Sequence, residues 1–197
     1  MKKKVLLIIL MFLITGCTIV RIDTTSIDNI VSVILSKDNT LYNRIGIGYK
    51  YYVPRGVTYI DSTDTNDRLY SNGIYYYLYL NELSYYYQSS IKYKEDISKY
   101  YSKKIKNGKK NGYLEITQQD NLYLVKFVYN YASIEALVPK EDIENTVLNA
   151  SYILSTIKYN RNIIKLSLSD DFLKQEEKYE EFASKKDSTS FLKYEKE

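Results

Sequence analysis

The sequence predicts an α+β domain with a central, mostly antiparallel sheet that helices cover. Three observations lead to this prediction. Short stretches of alternating apolar and polar residues fill the middle of the 197-residue chain, which is typical of strands with two different faces. Turn dipeptides such as Asn72-Gly73 separate these stretches, as in hairpins. Segments with apolar residues at helical spacing come before and after them, and strands flanked by helices indicate a sheet that helices cover.

The first predicted helix begins after Ser26 and ends near Asn39. Serine is a favoured N-cap because its hydroxyl accepts a hydrogen bond from the first turn. Apolar residues then recur at helical spacing, at Ile27, Ile30, Val31 and Ile34. A strand is predicted over 48–53, and the turn signal Pro54-Arg55-Gly56 ends it.

Hairpins fill the middle of the chain. Residues 58–66 are polar and are predicted to form a loop. Two hairpins follow, the first joining strands 68–70 and 74–80 and the second joining strands 100–105 and 112–117. The pattern of residues 81–98 favours neither a helix nor a strand.

The clearest elements lie near the end of the domain. Strands are predicted over 122–129 and 131–138, and Pro139 then suits the first turn of a helix. The buried stripe of that helix is predicted to consist of Ile143, Val147, Ala150 and Leu154. A short last strand is predicted over 156–159. The polar tail beyond it has one weak apolar seam, in a possible helix over 170–186, made of Phe172, Tyr179 and Phe182.

The N-terminal residues have the layout of an export signal. Lys2, Lys3 and Lys4 precede an apolar run over 5–14, which is too short for an ordinary transmembrane helix of about 20 residues. Ile14-Thr15-Gly16-Cys17 closely resembles the bacterial lipobox. The resemblance implies that Cys17 is lipidated and becomes the new N-terminus, so the expected location is the extracytoplasmic face of the cell membrane. A buried cysteine in an uncleaved helix is the alternative.

These features predict four segments: a signal peptide (1–16), a tether (17–25), the α+β domain (26–160) and a polar helical tail (161–197). The tail is expected either to dock loosely or to wait for a partner. Three stretches of the domain resemble uncharacterised bacterial lipoproteins and, on pattern, the PsbP-like fold: Gly48 to Gly56, Tyr129 to Ala136 and Tyr152 to Tyr159. The resemblance implies an α/β/α sandwich and a binding or assembly role. It supplies no catalytic residues.

The net charge of the predicted mature chain does not favour a nucleic-acid partner. Without the three lysines of residues 1–16, the formal net charge falls from +4 to +1, and nucleic-acid-binding domains usually carry a strong basic footprint. Residues 92–110 contain eight lysines and two acidic residues. We interpret this stretch as a solvated loop, with contact to anionic lipid or wall polymer as the alternative.

The residue inventory excludes several kinds of site. The chain has no histidine and one cysteine, so Ser-His-Asp and Cys-His nucleophilic sites are excluded, as are the usual zinc, copper and haem ligand sets. Residues 61–67 are rich in oxygen ligands but lack the glycine and glutamate of an EF-hand. We interpret them as a polar turn, and we expect neither a metal nor a cofactor.

Two functional alternatives remain. Tyr75, Tyr77 and Tyr79 share one strand face and could bind a ligand, or they could pack beneath the N-terminal helix. Glu115 and Glu135 could be the paired carboxylates of an envelope hydrolase that cleaves glycosidic bonds. We expect a non-enzymatic, lipid-anchored binding or assembly factor. Its expected partners are the membrane, through the lipid, and a wall polymer or an envelope protein.

Overall fold

The computed structural model describes residues 26–63 and 66–168. Cys17, the predicted signal peptide and tether, and the predicted helix over 170–186 lie outside these residues. The helices are α1 (Ile27–Leu35), α2 (Glu82–Tyr87), α3 (Ile143–Thr156) and α4 (Arg161–Ser167), and a 3-10 turn, Lys140–Asp142, precedes α3. The strands are β1 (Arg44–Gly46), β2 (Tyr49–Tyr51), β3 (Thr58–Thr63), β4 (Asn66–Ser71), β5 (Ile74–Leu80), β6 (Tyr101–Asn107), β7 (Lys110–Gln119), β8 (Leu122–Tyr129), β9 (Ala132–Val138) and β10 (Lys158–Tyr159).

The strands form two sheets. The larger sheet has seven strands in the order β3-β4-β5-β9-β8-β7-β6, and a small sheet has the order β1-β2-β10. Every described pair of neighbouring strands is antiparallel. The prediction of an α+β fold with a central antiparallel sheet is therefore confirmed.

Helices α1 and α3 cover one face of the large sheet, which we call the helix face. The Ser26 hydroxyl accepts a hydrogen bond from the Asn29 N–H at 3.5 Å, so the predicted cap of α1 is confirmed. Helix α1 ends at Leu35, a few residues before the predicted end. The predicted stripe of α3 is fully buried in the core. That core joins side chains of both helices to strand residues such as Tyr76, Leu78, Phe127 and Ile134.

The opposite face of the sheet is the tyrosine face, named for Tyr75, Tyr77 and Tyr79. Its residues alternate along β5 with the fully buried Tyr76 and Leu78 of the helix face. The tyrosine face is covered differently, because the segment 88–99 crosses it at β6 and β7. This second covering buries Tyr113 and Val128 outside the main core.

Tight turns fix the register of the hairpins. Asn72 and Gly73 both have positive φ, +50° and +83°, as the predicted Asn-Gly turn requires. Asn130 and Tyr131 have the same combination, +50° and +64°, between β8 and β9. The predicted hairpins are confirmed, and Tyr129 pairs with Ala132 across the second of these turns.

The prediction of a loop over 58–66 is wrong, because strand β3 occupies Thr58–Thr63. Its side chains are mostly exposed, so it lacks the apolar alternation that predicts a strand from sequence. Backbone pairing with β4 compensates for this polarity. The pairing shifts register between Tyr59 and Asp61, so this edge of the sheet contains a bulge.

The end of the domain also differs in detail from the prediction. Helix α3 continues through Thr156, which leaves only Lys158 and Tyr159 for the last strand. Helix α4 then extends past Asn160 and fully buries Ile164. A Cβ on Gly48 would lie 2.6 Å from the Ile164 side chain, so the two residues pack closely. The domain boundary at Asn160 stays a prediction, and α4 shows that packing continues beyond it.

No helix within residues 26–63 and 66–168 is long and apolar enough to cross a membrane.

Candidate functional site

The three tyrosines predicted as a ligand-binding row lie together on the tyrosine face, each of them half-buried. Tyr75 packs against Tyr70 with ring centroids 5.1 Å apart, and the Arg68 guanidinium lies 5.7 Å from the Tyr75 ring. Helices α1 and α3 lie on the other face, so neither covers these tyrosines.

A row of polar side chains crosses the tyrosine face from one edge to the other. Each of the seven strands contributes one residue, and each residue is directly paired with the next across the ladder. We call it the cross-sheet row, and in strand order it consists of Asp61, Arg68, Tyr77, Glu135, Lys126, Glu115 and Ser102. Acid and base alternate along most of its length. The central predicted tyrosine, Tyr77, therefore belongs to a charged ladder.

The two candidate catalytic acids both belong to this row, and Lys126 separates them. Neighbouring strands are about 4.8 Å apart, so the backbones of Glu115 and Glu135 lie about 10 Å from each other. Lys126 Nζ is 3.1 Å from Glu135 Oε1, and both side chains are largely buried. Glu135 Oε1 has no aligned hydrogen-bond donor among the described residues, so this contact is an ion pair by distance alone.

Glu115 is held by partners from the segment 88–99. The Tyr93 hydroxyl donates a hydrogen bond to Glu115 at 3.0 Å, and Lys99 Nζ is 3.8 Å from the same carboxylate. Tyr93 also stacks on Tyr113 with parallel rings 3.9 Å apart. Burial, more than these contacts, raises the pKa of Tyr93 to about 12. These partners give Glu115 an evident structural role.

The Tyr79 hydroxyl is buried, and no described residue hydrogen-bonds to it. Burial is the main cause that raises the Tyr79 pKa to about 12, and the nearby Glu135 charge adds to it. An unpaired buried hydroxyl is costly, so this atom is a point where a water or a ligand group would gain a hydrogen bond.

A second polar cluster lies where the small sheet meets the large one. Asp67 points into the core from β4 and is 5% exposed. The Tyr51 hydroxyl donates a hydrogen bond to it at 2.5 Å, and the Tyr49 hydroxyl donates another at 3.4 Å. Burial raises the pKa of Asp67 more than these two donors and Arg44 lower it. Asp61 lies on the opposite face, paired with Arg68, so Asp61 and Asp67 do not point toward a common ligand.

We expect Asp67→Asn to affect stability differently at acidic and neutral pH. A carboxyl whose pKa is raised by folding stabilises the folded state only while it is protonated. That stabilisation is lost as pH rises from about 4, the ordinary carboxyl value, through the raised folded value. Asparagine cannot ionise, so the variant avoids this loss. Relative to the wild type, it should be more stable near neutral pH than near pH 4, as measured by urea unfolding. An equal difference at both pH values would contradict the raised pKa.

A cleft of about 530 Å³ lies beside the small sheet and is bounded by β1, β2, β10, α2 and the start of α4. We call it the small-sheet cleft. It is lined by Ile45, Gly46, Gly48, Tyr49, Lys50, Tyr85, Lys158, Tyr159, Asn160, Arg161, Asn162 and Ile163. Tyr85 stacks on Tyr159 with ring centroids 4.3 Å apart. Three of the lining residues are cationic, and none of the described lining residues is acidic.

Sequence reasoning found the tyrosines and the two glutamates but missed the small-sheet cleft. Lys50 and Lys158 meet there through the pairing of β2 with β10, which no local pattern predicts.

Within the described part of the chain, no group of three acidic, cysteine or histidine residues is placed to hold a metal ion. Comparisons of the chain with protein-family models, with curated proteins and with solved structures gave no match.

Proposed function

We propose that this chain is a lipid-anchored protein on the extracytoplasmic face of the cell membrane. In this proposal it is a binding or assembly factor of the envelope and not an enzyme. The lysines, the apolar run and the lipobox-like Ile14-Thr15-Gly16-Cys17 support the anchor, because they occur in the order of a lipoprotein signal.

The position of Lys126 is the observation that carries the non-catalytic part of the proposal. A glycosidase needs one carboxyl group to give up a proton and a second to attack or activate water. Here the ammonium group of Lys126 lies on the strand between Glu115 and Glu135 and pairs with the buried Glu135. An acid that is 3% exposed and ion-paired with this lysine has little surface to offer a substrate. The hydrolase alternative is therefore the weaker one.

We also propose the PsbP-like relation as the finer description of the fold. The aromatic strand β2, which lies shortly before Pro54, and helix α3 leading into the short strand β10 support it. A three-layer α/β/α sandwich needs helical cover on the tyrosine face as well. Over β6 and β7, the residues that cover this face are those of the segment 88–99, which contains no helix. This part of the tyrosine face therefore lacks the second helical layer.

Lipidation of Cys17 is the direct test of this proposal. Cells expressing the full chain are fed an alkyne-bearing fatty acid, and the purified protein is examined for the label. We expect labelling of the wild type and none of Cys17→Ser. As a matched control, Cys17→Ser combined with Ser36→Cys keeps one cysteine, now at an exposed helix end. This variant should also stay unlabelled. Labelling that persists in Cys17→Ser would refute the anchor.

A further inference from the structure

The charged residues that line the small-sheet cleft are all positive. Lys50, Lys158 and Arg161 come from three separate elements, β2, β10 and α4, and converge on one concavity. The amides of Asn160 and Asn162 lie beside them. Glu82 is close enough to contribute to the raised pKa of Tyr159, but it does not line the cleft. A concavity with cations and no lining acid attracts anions.

Contacts other than buried ion pairs position the three cations. Lys50 Nζ lies 3.8 Å from the centre of the Tyr42 ring, and the Arg161 guanidinium lies 5.1 Å from the Tyr86 ring. Lys158 is 3.8 Å from Asp38, whose side chain is 83% exposed. Aromatic faces orient a cation without neutralising it, and an exposed ion pair is weak. All three side chains therefore keep most of their capacity to bind an anion.

The remaining lining residues suit a ligand that has flat apolar parts and hydroxyl groups. The stacked rings of Tyr85 and Tyr159 form part of the wall, and Ile45 and Ile163 stand at its rim with 73% and 43% of their surface exposed. Tyrosine rings and aliphatic side chains pack against the apolar faces of sugar rings and polyol chains. Asparagine amides donate to and accept from hydroxyl groups.

We propose that the small-sheet cleft binds an anionic polymer chain of the envelope, a glycan or polyol chain whose repeating unit bears a phosphodiester or carboxylate group. The cleft is open along one side and has a volume of about 530 Å³, so a chain could lie in it without being enclosed. A chain can enter a concavity, whereas a bilayer presents its headgroups on a broad surface. This inference rests on the proposed function, because it names the ligand class and the site of a binding protein at the membrane.

The test compares two triple variants of the full-length chain, each purified in neutral detergent. The cleft variant carries Lys50→Gln, Lys158→Gln and Arg161→Gln. The control carries Lys92→Gln, Lys94→Gln and Lys104→Gln, which change the net charge equally at exposed positions outside the cleft. Binding of poly(glycerol phosphate) and of polygalacturonate is measured by calorimetry, with dextran as the neutral polymer. Circular dichroism verifies that all three proteins are folded.

We expect the wild type to bind at least one of the two anionic polymers and not dextran. The cleft variant should bind it at least about tenfold more weakly, because it loses three charged contacts to the polymer at once. The control should change by less than about threefold, the small effect expected for charges away from the site.

Equal weakening in both variants would overturn the proposal, and so would dextran binding as tight as that of the anionic polymers. Binding confined to vesicles of phosphatidylglycerol and phosphatidylcholine in equal parts would overturn it as well, because the ligand would then be a membrane. Polymer binding is measured on detergent-purified protein, so its outcome does not depend on whether Cys17 is lipidated. Failure here is thus distinct from failure of the Cys17 labelling.

Discussion

Lys126→Met is expected to lower the free energy of unfolding by about 3–5 kcal/mol, because it leaves the buried Glu135 carboxylate without its cation. Glu135 is 3% exposed, and its Oε1 atom has no aligned hydrogen-bond donor among the described residues. Removing the lysine therefore leaves this buried carboxylate without the cation that pairs with its Oε1 atom. Urea unfolding of the two proteins at neutral pH measures the difference.

A double variant separates the ion pair from the packing around it. Lys126→Met combined with Glu135→Leu replaces both charges by apolar groups and should recover most of the lost stability. Lys103→Met is the matched control, because its ion pair with Asp28 is more than half exposed on both sides. That control should cost no more than about 1 kcal/mol. A double variant as unstable as Lys126→Met alone would contradict the role of the buried charge.

Gly112→Ala is expected to cost more than about 3 kcal/mol or to prevent folding, because overpacking against backbone cannot be relieved by side-chain rotation. An added Cβ would lie 1.9 Å from the Val128 carbonyl oxygen and 2.8 Å from the Tyr129 Cα. Gly112 pairs directly with Tyr129, so β7 and β8 would have to separate at their point of contact.

The matched control for this glycine is Gln119→Ala, at an exposed position of the same strand. Circular dichroism and urea unfolding of both variants measure the effect. We expect Gln119→Ala to stay within about 0.5 kcal/mol of the wild type. A Gly112→Ala variant of wild-type stability would show that β7 and β8 do not approach each other as closely as described.

Much of the fold could be predicted because its signals are local. The Ser26 cap, the Asn72-Gly73 turn and the apolar stripe of α3 each depend on residues close in sequence, and each is confirmed. Strand β3 could not be predicted, since its polar residues form a strand only by pairing with β4. Helix α2 could not be predicted either, because its tyrosine-rich sequence shows no clear helical pattern. Asn81 is its N-cap.

The candidate site was less predictable, because it depends on register between distant strands. The sequence places Glu115 and Glu135 on strands, but only the pairing of β7, β8 and β9 shows that Lys126 lies between them. The small-sheet cleft depends on residues more than a hundred positions apart, such as Lys50 and Lys158. No periodicity or motif reports a contact of that kind.

The two outer strands of the large sheet have a consequence for molecules crowded at a surface. An anchor confines copies of a protein to two dimensions, where unpaired strand edges meet often and can join into continuous sheets. One outer strand, β3, has its hydrogen-bonding register broken by the bulge between Tyr59 and Asp61. The other, β6, carries exposed lysines at 103, 104 and 106, which repel the same strand of a second copy. In the anchored state proposed above, both edges of the large sheet therefore disfavour pairing with a second copy.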